Sequence, residues 1–328
     1  MGAYNIKHEL KKSSIYFLII WCAICEAQQT IIYTQYAFNK AGVNPAASGT
    51  DINQKFNYVF GVNRQWVGFD NAPKQNFANF SMTIRPPRSY HYWQNVGVYL
   101  DTEENGPFSN NGVYANYTIH LLLKKKLVAS FGVYAGVRNY NMSPIAIDKR
   151  DPIMEKSNFR TLVYPDIIPG FRLYNRKFFI DLALRQITVY KLQDFQGNRI
   201  SGTSKLKPTF FFAYGRKIPL NDIFVLMPSV AINATILHYP AVDVNAMLYY
   251  VNRMGGGIAL RNLSILSFIY QLRIFKNLSA GVSYGTSLNS VRYVAPSSFE
   301  IMIGITPTGL DDKSTGKHSI ARCPGLDF

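Results

Sequence analysis

Five histidines, His8, His91, His120, His238 and His318, are the side chains of this sequence best suited to hold a metal or move a proton. No two of them stand at metal-ligand spacing. Asp101, Glu103 and Glu104 have the chemistry to bind a cation, but they fall on a predicted outer loop, where a solvated acidic turn is the ordinary outcome. The run Gly255–Gly257 lacks the lysine and serine of a phosphate loop and reads as the start of a strand that another group approaches closely. No nucleophile elbow is read from the sequence. These residues point to no catalytic, cofactor-binding or metal site, and to a protein that is not an enzyme. A barrel hydrolase with Ser and His set on strands stays open, although no pairing indicates one.

The remaining reactive side chains are three cysteines, and they depend on where the mature chain starts. Lys7, Lys11 and Lys12 precede the apolar run Ile15–Cys25, IYFLIIWCAIC. Eleven residues are too few for a helix across a bilayer core of about 30 Å. The pattern is that of a secretory signal peptide, residues 1–27, with Cys25 at −3 and Ala27 at −1. Gln28 is then the first mature residue. A buried N-terminal helix and a lipoprotein signal are the alternatives. Trp21 and Ile24 are poor residues ahead of a lipidated cysteine. Cleavage removes Cys22 and Cys25, and Cys323 alone cannot form an internal disulfide.

Composition then bounds the architecture. The chain has 22 Tyr and 22 Phe, 16% charged residues, and a mean hydropathy of −0.04. No second apolar run of helix-spanning length occurs, which excludes helical membrane spans. The formal charge of +16 is spread along the chain, and the signal peptide argues against a nucleic-acid partner. In LVASFGVYAGVRN, Ala129, Phe131, Val133, Ala135 and Val137 share one face, opposite Ser130, Gly132, Tyr134, Gly136 and Arg138. In LSAGVSYGTSL, Ala280, Val282, Tyr284 and Leu288 alternate with serines and glycines. One apolar face and one small polar face fit a tilted outer-membrane strand with lipid on one side and a lumen on the other. A soluble β-sandwich also alternates, but the strand lengths and aromatic load favour the barrel.

Fourteen antiparallel strands are predicted, centred on 55–63, 76–84, 95–101, 112–122, 127–139, 168–175, 178–185, 208–217, 223–236, 242–251, 255–262, 265–275, 278–288 and 299–305. An even number suits a single-chain bacterial barrel with both termini in the periplasm. With that orientation the outer connections include 64–75, 102–111, 140–167, 186–207 and 289–298. The inner ones are tight, as at Leu123–Lys126 and Arg176-Lys177. The expected organisation is an all-β protein: residues 28–54 as an N-terminal lumen or plug segment, 55–305 as the barrel, and 306–328 as a periplasmic tail.

Residues 28–54 are polar and aromatic and cannot lie in lipid, where each unsatisfied backbone group costs several kcal/mol. A plug strap, with Asn44-Pro45 setting its turn, and a loose periplasmic leader are both open. The stretch YTQYAFNKAGVNPAASGT resembles the N-terminal signature of the PorP/SprF family, S-Q-Y-x-F-N leading to N-P-A-x-x-G. Tyr33, Gln35, Tyr36, Phe38, Asn39, Asn44, Pro45, Ala46 and Gly49 match. Thr34 replaces the usual Ser, and Lys40 stands where Pro is common. NRQWVGFDNAP matches R-x-x-W-x-G-x-x-x-A-P through Arg64, Trp66, Gly68, Ala72 and Pro73. Glu104–Pro107, Leu226–Val230, Asp243–Leu248 and Ser297–Ile305 follow in the family's order. Phe299 stands where the family often has His before Glu300, and RCPGLDF resembles a C-P-x-F ending with an insertion.

The resemblance implies a type IX secretion and gliding-motility component of the outer membrane. Its implied partners are secreted adhesin cargo, periplasmic secretion-system or peptidoglycan-linking proteins, and the lipid bilayer, with no cofactor. A porin or solute transporter is the alternative. Arg64 and Trp66 are expected to fold inward, with Arg64 on a lumen acid or carbonyl. The tail, through Arg322, Cys323, Pro324 and Phe328, is expected to dock a periplasmic partner, or else to be a frayed end.

Overall fold

The structure, a computed structural model, describes residues 33–50, 54–86, 91–123, 127–142, 160–187, 207–236, 239–251, 253–275, 277–293 and 297–307. The period-2 alternation is realised as a wall. On β5 (Val128–Met142), Phe131 and Val137 are exposed, while Ser130, Tyr134 and Arg138 are buried. On β14 (Leu278–Ser287), Val282 and Tyr284 face out, and Ser283 and Ser287 face in. A pleated strand can do this only if the two faces meet different surroundings. The outer band also carries Val113, Tyr117, Ile258, Phe268, Ile301 and Ile303. So much contiguous exposed apolar surface is the mark of a lipid-facing belt.

The other wall strands are β1 (Phe56–Arg64), β2 (Lys74–Ile84), β3 (Tyr92–Asn105), β4 (Phe108–Leu122), β6 (Arg160–Tyr174), β7 (Phe178–Arg185), β8 (Thr209–Arg216), β10 (Phe224–Thr235), β11 (Ala241–Tyr250), β12 (Met254–Arg261), β13 (Ile265–Phe275) and β15 (Ser297–Ile305). The two-residue β9 (Ile218–Pro219) is a ribbon inside the β8–β10 turn. Each wall strand pairs antiparallel with its neighbours in sequence, and β15 closes on β1 with Asn63 opposite Glu300. The result is a closed 14-strand antiparallel barrel.

All fourteen predicted strands exist, but the wall is taller on one side than expected. β3 and β4 stay paired from Tyr92↔Leu121 to Asn105↔Phe108 and turn on Gly106-Pro107 alone. The loop expected at 102–111 is therefore mostly hairpin, and Asp101 is a buried strand residue. Polar residues continue a ladder beyond the apolar belt as readily as apolar ones, so alternation of hydrophobicity loses the strand there. β6 begins at Arg160, not near 168, because Pro165 and Pro169 hide it. Among the described residues both prolines stand in the β5 ladder, and pairing to β7 starts at Gly170. A proline is tolerated where one side needs no ladder bond.

Candidate functional site

Inside the barrel lies the polar-aromatic stretch, residues 33–50. It has little regular structure of its own and is capped locally by asparagines. Asn39 caps the one-turn helix α1 (Lys40–Val43), its side-chain oxygen accepting from Gly42 N at 3.1 Å. Asn44 accepts from Ala46 N at 3.0 Å and starts a 3₁₀ turn, Pro45–Ala47, with Pro in the first position. Nearly every residue from Tyr33 to Thr50 is buried. Their partners lie on strands all around the wall, which places the segment in the lumen.

The amino-terminal end is held by a carboxylate. Glu300 on β15 accepts Thr34 N at 2.5 Å, Gln35 N at 3.1 Å and the Asn63 amide at 3.3 Å. From the other side Asn245 donates to Thr34 O at 2.9 Å, and the Gln271 amide reaches the Gln35 side-chain oxygen at 3.3 Å. The Tyr36 hydroxyl donates to Ser229 Oγ at 2.7 Å. Tyr33 packs edge-on against Phe77, ring centroids 4.9 Å apart.

Further along, the wall takes the backbone carbonyls one by one. Tyr134 donates to Ala41 O at 2.8 Å, and the Arg185 guanidinium donates to Gly42 O. Thr118 donates to Pro45 O at 2.8 Å, and His120 Nε2 lies 2.8 Å from Ser48 O. The Trp93 indole donates to Gly49 O at 2.9 Å, and Tyr174 to Thr50 O at 3.2 Å. Trp93 stacks on His120 with centroids 4.8 Å apart. Gly132 and Gly170 let the turn at Asn44–Ala46 touch the wall, since a side chain at either would collide with it.

Three ion pairs lie on the lumen face. Arg172 meets Asp181 at 2.6 Å, and Asp181 also takes the Asn44 amide at 2.7 Å. Arg138 meets Asp101 at 2.6 Å and donates to the Tyr114 hydroxyl, which donates to Asp166 at 2.8 Å. Arg261 meets Asp243 at 2.7 Å. The arrangement can hold a peptide segment. Among the described residues no group of His, Cys, Asp and Glu can hold a metal.

The predicted residues divide. Tyr33, Gln35, Tyr36, Phe38, Asn39, Asn44, Pro45 and Glu300 converge in the lumen, with Phe38 buried near Gly304. Arg64 and Trp66 do not join them. Strand parity sends Asn63 inward and Arg64 the other way, so Arg64 donates to Gln75 O at 3.0 Å and Asn76 at 2.7 Å, and to no lumen acid. Trp66 is half-buried in left-handed backbone, and Gly68 lies on an exposed turn that ends at buried Pro73. Asp101 leaves the solvated-loop reading for its ion pair with Arg138. Gly281–Gly285, GVSYG, does spell the nucleophile-elbow pattern, but it runs through the middle of β14 with no strand-to-helix turn. Arg322, Cys323, Pro324 and Phe328 lie outside the described residues. The sequence reading missed Arg172, Asp181, His120, Trp93 and Arg185. For Arg172 and Asp181 the signal was there, because a charge within a strand cannot face lipid and must seek a partner inside.

Comparison with protein families matches residues 25–305 to the model for the type IX secretion system membrane protein PorP/SprF. Comparison with the curated proteins finds no match. Among solved structures, the chain is similar to the Ralstonia pickettii toluene transporter TbuX, at 10% identity and TM-score 0.50, over 83% of this chain and 93% of that one. A Pseudomonas aeruginosa FadL homologue is similar at 11% identity and TM-score 0.47, over 83% and 94%. At 10% identity the likeness to TbuX speaks to the outer-membrane barrel fold alone.

Proposed function

We propose, because the chain belongs to the PorP/SprF family of type IX secretion system membrane proteins, that it serves secretion or surface attachment of adhesin-type cargo, or links to periplasmic secretion-system or peptidoglycan-linking proteins. It does so as a multi-pass protein of the outer membrane, reached through a cleaved signal peptide at 1–27, with the lipid bilayer around its apolar belt. One observation carries this reading. The lumen is filled by the chain's own residues 33–50, bonded to strands on every side of the wall. A solute channel needs an open wet path, and a polypeptide seated in the lumen and bonded to the wall along its length obstructs one. The tail, residues 306–328, supplies the periplasmic contact through Arg322, Cys323, Pro324 and Phe328. No catalytic step and no nucleic-acid partner is assigned.

The test is to purify the protein from native membranes, identify the chains that come with it, and record its conductance in planar bilayers. A bound secreted or periplasmic chain with no steady conductance supports the proposal. A steady open conductance with no bound chain replaces it with the porin alternative.

A further inference from the structure

The order in which the wall grips residues 33–50 has a direction. Strands β1 and β15 carry Asn63 and Glu300 near the end of the barrel where β1 finishes and β15 starts. Glu300, braced by the Asn63 amide, holds Thr34 and Gln35. The middle of the wall holds Ala41 through Tyr134. At the opposite end, Trp93 is the second residue of β3, Tyr174 is the last of β6 and His120 is near the end of β4. These three hold Gly49, Thr50 and Ser48. The chain then enters β1 at Phe56, on that same end. The segment therefore crosses the lumen once, descending from Tyr33 to Thr50.

We infer that the amino-terminal part threads the lumen outward, so that the residues before Tyr33 leave by the outer mouth, whereas the chain after Ile305 leaves on the periplasmic side. This replaces the expectation that both termini are periplasmic. To return inward, the residues before Tyr33 would have to pass again through a lumen that Tyr33, Tyr36, Phe38 and the Tyr99–Tyr134 stack already fill. The outward sense rests on the usual placing of tight turns such as Arg176-Lys177 in the periplasm; it does not rest on the cargo reading. Two consequences follow. A signal segment still anchored at the inner membrane is incompatible with the threaded segment, so cleavage precedes plugging. The amino-terminal end also meets the surface side, where cargo is displayed, and the carboxy-terminal end meets the periplasmic side, where the machinery lies.

Side-resolved labelling tests the inference on the full chain in cells, with Cys323→Ser as the parent. Single cysteines are placed by Gln29→Cys, by Asp70→Cys in the exposed β1–β2 turn, and by Arg176→Cys in the exposed β6–β7 turn. Each variant is first checked for the compact, heat-modifiable form on a gel. A membrane-impermeant maleimide should label Gln29→Cys and Asp70→Cys on intact cells to the same extent, and Arg176→Cys only after the outer membrane is permeabilised. Labelling of Gln29→Cys only together with Arg176→Cys, after permeabilisation, overturns the inference. Labelling of Arg176→Cys but not Asp70→Cys on intact cells inverts the barrel and overturns it too, while leaving copurification to decide the cargo reading. If Gln29→Cys resists the reagent in both states, a protease site inserted after Gln29 decides: cleavage on intact cells supports the inference, and cleavage only after permeabilisation overturns it.

Discussion

The two ends of the lumen segment are held by different chemistry. At Thr34-Gln35 the grip is one carboxylate, Glu300, with amide side chains from β1, β11 and β13. At Asn44–Thr50 it is a set of neutral donors from β3, β4 and β6, backed by the Arg172–Asp181 ion pair and the Trp93–His120 stack. The outer end has one carboxylate for both of its backbone amides, with Asn245 and Gln271 beside it, and the inner end has many separate donors on its carbonyls. One substitution can therefore release the outer end while the inner end stays seated. The inner end is part of the barrel's core, and damage there is damage to folding.

Substitutions can break or sharpen this contrast. The largest effect is expected for Asp181→Ala, which strands Arg172 without its carboxylate and removes one of the two acceptors of the Asn44 amide; breaking a buried pair costs about 3–5 kcal/mol. The temperature at which the compact gel form unfolds should fall steeply. Glu300→Ala orphans three donors and should cost about 2–3 kcal/mol, but its signature differs. The barrel should still form, residues near Thr34 should become accessible to protease, and conductance in planar bilayers should rise. Equal disorder at both ends in that variant would erase the distinction. Trp93→Phe keeps the stack on His120 and loses only the bond to Gly49 O, for about 1 kcal/mol, with a small drop in unfolding temperature and no conductance. Tyr36→Phe, which removes only the hydroxyl on Ser229, should cost about 1 kcal/mol or less and leave insertion unchanged. Trp66→Ala lies outside the lumen and should change the unfolding temperature less than any of these.

How much of this was legible depends on which face of a strand is considered. Phe131, Val133 and Val137 announce the lipid side by alternation alone, and they fix strand, register and barrel together. The lumen side is written in residues whose meaning depends on what they meet. Glu300 was visible only through the family motif, and nothing in the sequence alone said that it would accept Thr34 and Gln35 across a separation of more than 260 residues. Asn44-Pro45 was readable as a turn because its chemistry is local. Its bond to Asp181 is not local and was not readable. Pro165 and Pro169 misled by a sound rule, since a one-sided ladder permits them. Strand parity at Asn63 already excluded Arg64 from the lumen, and applying it strictly would have removed that candidate.

Hydrogen exchange across residues 33–50, followed peptide by peptide in the folded protein, tests the plugged lumen most directly. The amides of Thr34, Gln35, Phe38, Asn39, Gly42, Asn44, Ala46, Ala47 and Ser48 all donate within the protein. They should exchange slowly, at rates near those of the barrel strands, with the inner residues slower than Thr34 and Gln35. Exchange of the whole segment at the rate of free chain, beside protected strands, would contradict the account.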